Sequence, residues 1–160
     1  MKYILVLVLV VVSLGIVTPP VQAQEKPIQL ALFSPVQLFS PSESIAGLRI
    51  SLLYGVNDNM TGLDWGLVTK TDGDFQGVQL NLVGILQGDG TGIQYNFASI
   101  ARSSFTGVQW SGLNIAEDMN GLQVGLINSA GTMKGLQIGL LNFIREGGFL
   151  PFFPIVNGSF

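Results

Sequence analysis

The 160-residue chain has seven Lys or Arg, ten Asp or Glu and neither His nor Cys, and 48% of it is apolar. That is too apolar for a disordered chain, and the length suits one domain. A net charge of −3 with no basic patch leaves no footprint for nucleic acid, and the lack of Cys and His excludes disulfides, thiolate nucleophiles, imidazole acid–base chemistry and zinc sites built on those ligands.

In chain order, residues 1–23 read as a signal peptide. Lys2 supplies the positive start, Ile4 to Val17 the apolar run, and Val21-Gln22-Ala23 the small-residue cleavage site, with Gln24 as the mature N-terminus. The apolar run falls short of the about 20 residues of a spanning helix. No Cys follows it to receive a lipid. The expected location is the cell envelope: periplasm, outer membrane or cell surface. Residues 24–46 come next as an N-terminal capping strand, where Ile28, Leu30 and Leu32 alternate before Pro35.

Residues 47–146 form seven repeats. Gly47, Gly62, Gly77, Gly92, Gly107, Gly121 and Gly135 recur at spacings of 15, 15, 15, 15, 14 and 14. After each glycine, apolar residues occupy alternate positions, as in Leu63, Trp65, Leu67 or Leu136, Ile138, Leu140. Period-two alternation is the mark of a strand. Between them lie Gln79, Gln94, Gln109, Gln123 and Gln137, with Arg49 and Asp64 at that place in the first two repeats. Asn114, Asn128 and Asn142 begin the turn after the strands of the last three repeats. Connecting segments such as Thr71-Asp72-Gly73-Asp74 hold turn residues. An apolar residue also stands two places before six of the seven glycines: Ile45, Met60, Phe75, Phe105, Met119 and Met133, with Gly90 as the exception.

Two all-β architectures fit. The first is a short-coil parallel β-solenoid of about seven 14–15-residue repeats, in which the alternating Leu, Ile and Val face inward. Trp65, Tyr95 and Trp110 join that inner column as packing. The Gln and Asn columns then form hydrogen-bonded ladders on an outer face. The second is an eight-stranded antiparallel outer-membrane barrel with leucines toward lipid. The uniform connecting segments and the mid-strand Trp65, Tyr95 and Trp110 favour the solenoid. Residues 147–160, with Phe149, Pro151, Phe152, Phe153 and Pro154, read as an aromatic and proline-bearing cap over the last coil.

The units Gly121-Leu122-Gln123-Val124-Gly125-Leu126-Ile127-Asn128 and Gly135-Leu136-Gln137-Ile138-Gly139-Leu140-Leu141-Asn142 resemble the exported bacterial surface repeat-containing proteins. The resemblance spans about residues 47 to 146 and implies a cell-envelope location, no activity and no catalytic residues.

Chemistry-bearing constellations are sparse. Ser and Thr have no His to activate them, and Lys70 and Lys134 sit in turns without a catalytic signature. Asp72, Asp74 and Asp89 lie in neighbouring turns and are read as turn residues rather than a Ca²⁺ site. The expectation is therefore a non-enzymatic structural or interaction protein of the envelope, with no cofactor or metal. Its candidate interaction ladder is Gln79, Gln94, Gln109, Gln123, Gln137, Asn114, Asn128 and Asn142, exposed as a flat Gln/Asn/Gly-rich face toward an envelope or surface partner. A small outer-membrane barrel, as pore or anchor, is the alternative function. Membrane association is compatible with both, and the oligomeric state is open.

Overall fold

Alternating side chains between short polar turns give extended backbone almost everywhere. A computed structural model describes residues 25–160. The expected signal peptide, 1–23, and the mature N-terminus Gln24 lie outside the described residues. The elements are β1 (Lys26–Phe33), β2 (Val36–Gln37), β3 (Ile45–Asn57), β4 (Met60–Thr71), β5 (Phe75–Leu86), β6 (Gly90–Glu146) and β7 (Phe152–Ser159). β1, β3, β4, β5 and the start of β6 pair in parallel, one coil apart and in register, so that Gly47, Gly62, Gly77 and Gly92 lie side by side. β6 then winds on through the remaining coils, with Gly107, Gly121 and Gly135 each seated on the glycine one coil back. The chain is an all-β parallel β-solenoid. The barrel alternative requires antiparallel neighbours, and among the described residues these occur only at the two ends.

The ends close the stack. β2 folds back antiparallel on β1, and β7 runs antiparallel along the last coil, from Gly135 opposite Ser159 to Phe143 opposite Phe152. Both cover strand edges that would otherwise offer unpaired backbone groups. The N-terminal end is sealed further by a side chain: the Gln29 amide donates to the Phe39 carbonyl at 3.0 Å and accepts from the Phe39 N–H at 3.0 Å.

The repeated glycine answers a backbone demand. All seven have φ between 118° and 146°, a region that L side chains rarely enter. A Cβ at any of them would also strike the backbone carbonyl oxygen one coil back, of Pro27 for Gly47 and of the preceding glycine for the others.

The apolar core is narrow. Ile45, Met60, Phe75, Phe105, Met119 and Met133 come from the first side of each coil, and Leu86, Ala101, Ala116, Ala130 and Ile144 from the return side. Large and small residues compensate across it. Where the first side has only Gly90, a Cβ would meet the side chains of Phe105 and Leu86, which fill that space. At the far end of the first strand two successive residues point outward, as in Leu52-Leu53, Leu126-Ile127 and Leu140-Leu141. That pair forms the corner before the return strand.

Gly92→Ala should lower stability by more than about 1 kcal/mol, because the new methyl group is strained by φ and blocked by the Gly77 carbonyl. Equilibrium urea unfolding, followed by β-sheet circular dichroism, reads the change.

Candidate functional site

Inside each coil, the residue four places after the buried apolar one also points inward. Gln79, Gln94, Gln109, Gln123 and Gln137 are all fully buried, and so are Asn114, Asn128 and Asn142 on the return side. This corrects the sequence reading of an exposed Gln/Asn face. The amide ladder exists, but it runs through the interior, where no partner reaches it. Correspondingly, the alternating Leu, Ile and Val columns, read as inward-facing, line the outside.

The ladder is continuous and directional. Gln137 Nε2 donates to Gln123 Oε1, Gln123 to Gln109, Gln109 to Gln94 and Gln94 to Gln79, each at 2.7 Å. Gln79 Nε2 donates in turn to the Asp64 carboxylate at 2.8 Å. The Asn ladder runs the opposite way: Asn114 donates to Asn128 Oδ1 and Asn128 to Asn142 Oδ1, both at 2.8 Å. A buried amide without partners is costly, and stacking removes that cost by placing an identical amide about 4.8 Å away.

Asp64 anchors the Gln ladder. Arg49, fully buried on the coil below, grips it in a fork, Nε to Oδ1 and Nη2 to Oδ2, both at 2.7 Å. Thr69 Oγ1 and Asn81 Nδ2 also donate to Oδ2. Burial by itself would raise the Asp64 pKa. The Arg49 charge, with hydrogen bonds from Arg49, Gln79 and Thr69, outweighs it and holds the carboxyl below its ordinary range. In the sequence Arg49 and Asp64 stand out only as replacements for Gln; the structure pairs them.

The outer surface is the reverse of the interior. Trp65, Tyr95 and Trp110, expected in the core, are 54%, 57% and 58% exposed, and Phe97 beside them is 67% exposed. Tyr95 stands edge-on to Trp110 with ring centroids 5.9 Å apart. Leu63, Leu67, Leu80, Leu82, Ile93, Leu126, Ile138 and Leu140 are exposed around them. Single exposed leucines are ordinary, but a contiguous apolar wall of this extent marks a contact surface. The C-terminal segment adds to it: β7 closes the last coil through its backbone, while Phe152, Phe153, Ile155 and Val156 stay exposed.

The turns form the opposite edge. Asn59 Oδ1 accepts the Asp74 N–H at 2.7 Å, Asp74 Oδ1 accepts the Asp89 N–H at 2.9 Å, and Asp89 accepts from Ser103 Oγ at 2.7 Å and from the Ser104 N–H at 3.2 Å. Each turn side chain thus caps the next turn one coil on. The Ser103 and Ser104 bonds lower the Asp89 pKa. Among the described residues no group of three or more His, Cys, Asp or Glu is arranged to hold a metal ion.

Compared with family models, with curated proteins and with solved structures, the chain gives no match. The geometry of its own surface therefore carries the functional argument.

Asp64→Asn leaves the buried Arg49 without its counter-charge and should destabilise the fold by about 3–5 kcal/mol. The double variant R49Q/D64Q extends the existing Gln column into the first two coils and should recover most of that loss in thermal melts. The acid response follows from the same pair. A carboxyl whose pKa is lowered in the fold contributes stability above its unfolded value and loses it as pH falls through the folded one. The native protein should therefore lose stability below pH about 4. R49Q/D64Q should lose much of that dependence in urea titrations across the same range.

Proposed function

We propose that the chain is a non-enzymatic structural or interaction protein of the cell envelope, a rigid stacked scaffold that makes its contacts through its apolar outer wall. The observation that carries the reading is the inversion of the coil: amides and an ion pair are sealed inside, while Trp65, Phe97, Trp110 and the leucine columns face out. A wall of this kind is unfavourable in water and is maintained only where something covers it. The inward polar groups are buried and mostly occupied with one another, which keeps them from substrate chemistry. The envelope location is supported by the export pattern of Lys2, the Ile4–Val17 apolar run and Val21-Gln22-Ala23. The resemblance of residues 47 to 146 to exported surface repeat-containing proteins supports it as well.

Fractionation of the cells that make the protein tests the location. The expected result is recovery in the envelope fraction, with Gln24 as the first residue by N-terminal sequencing. Recovery from the cytosol with Met1 still attached would defeat the reading.

A further inference from the structure

We infer that the apolar corner of the solenoid seats edge-on in one leaflet of a lipid surface, leaving the charged turn edge in water. The inference rests on the reading of the outer wall as the contact surface and names what covers it.

Charge is segregated across the coil. Asp58, Asp72, Asp89, Glu117 and Lys134 lie in or beside the turns. From the repeated glycine to the corner, the only charged residues are Arg49 and Asp64, which are buried and paired with each other. The nearest outward charge on the return side is Lys70, two residues past the corner in register with Ile85 and Ile100, and it is paired with Asp72. Next to the turns comes a column that is polar and uncharged in Thr61, Gln76, Thr91, Thr106 and Asn120 and ends on the charged Lys134 in the last coil. Beyond the glycines the surface is apolar up to and around the corner. This order of charge, neutral polar groups and then hydrocarbon is the depth profile of an interfacial protein.

The dimensions agree. From the Leu63 column to the Leu67 column is four residues, about 13 Å at ~3.3 Å per residue. One leaflet supplies about 15 Å of hydrocarbon, half of a core about 30 Å thick. The stack of coils runs about 30 Å in the perpendicular direction, at ~4.8 Å per coil, and would lie in the plane of the surface. The wall also turns the corner: Leu126 and Ile127, like Leu140 and Leu141, are both exposed on successive residues. Phe143 continues the exposed surface on the return side. A flat partner, including a second copy of this chain, covers one side of such a wedge; lipid chains cover both. The wedge is also fit for hydrocarbon internally, since its backbone groups pair from coil to coil and its amides pair within the ladder.

The chain provides its own probes, because its two tryptophans, Trp65 and Trp110, both stand in this wall. The purified protein should float with phosphatidylcholine vesicles, shift its tryptophan emission to the blue and be quenched by vesicles with brominated acyl chains. Raising the salt from about 0.1 M to 1 M should leave binding intact, since screening acts on charge and not on apolar burial. The variant L67D/L82D/F97D changes only exposed side chains, so its circular dichroism should match the native spectrum. Its partitioning should fall by at least about a hundredfold. Native protein that neither floats nor is quenched by brominated chains overturns the inference. A concentration-dependent dimer that ignores vesicles, and that the same variant dissolves, also overturns it and gives the wall to a second copy. Envelope recovery without vesicle binding removes this inference alone, whereas cytosolic recovery removes the envelope reading whatever the vesicles show.

Discussion

In-register stacking governs this protein: each coil lays its glycine and its inward amide against their counterparts in the next. An inward Gln from Gln94 onward is tolerable because another Gln lies one coil away to accept its amide proton. The direction of the chain of bonds is set at one place. Asp64 can only accept, so Gln79 must donate to it, and Gln94, Gln109, Gln123 and Gln137 follow in the same sense. The Asn ladder on the return side points the other way, so the two rows of amide dipoles oppose each other within one narrow interior. Their last acceptors, Gln137 Oε1 and Asn114 Oδ1, have no hydrogen-bond partner.

This arrangement inverts the usual division between core and surface. The dry part of the core is a thin column of Met, Phe, Ile, Leu and Ala, and much of the remaining interior is satisfied polar contact. Most of the large apolar side chains stay outside. Stability in such an array comes from neighbour-to-neighbour contact, and the glycine column permits the backbones to approach closely enough for it. The surface is therefore free of any duty to fill the core. Its apolar character, bounded on one edge by charged and hydrogen-bonded turns, requires an external explanation, and a lipid leaflet supplies one of matching depth and shape.

Much of this was legible from the residues, and one error had an identifiable cause. Strand, coil length, the glycine register and the amide ladder all follow from periodicity. The side to which the ladder points was read the wrong way round, because leucines are ordinarily buried. A parity argument contains the answer. Met60 and Leu63 are three residues apart, and in an unbroken strand an odd separation places two side chains on opposite faces. The apolar residue before each glycine and the leucines after it could not both point inward. Asp64, Gln79 and their equivalents stand four places after that residue, an even separation, and share its face. The Asn114, Asn128 and Asn142 column had no such signal, since a corner of two outward residues shifts the parity before it.

Taken alone, the amino-acid sequence determined an all-β repeat of 14 to 15 residues with a glycine demanded at one place in each unit, because periodicity and turn chemistry are local properties of the chain. Tertiary structure decided what those local rules leave open: parallel stacking, which residues of an alternating strand are enclosed, and the union of Arg49 with Asp64 across two coils. Alternation defines two faces without naming the inner one. That choice is made only when the return strand closes the coil and its own side chains fill the space between.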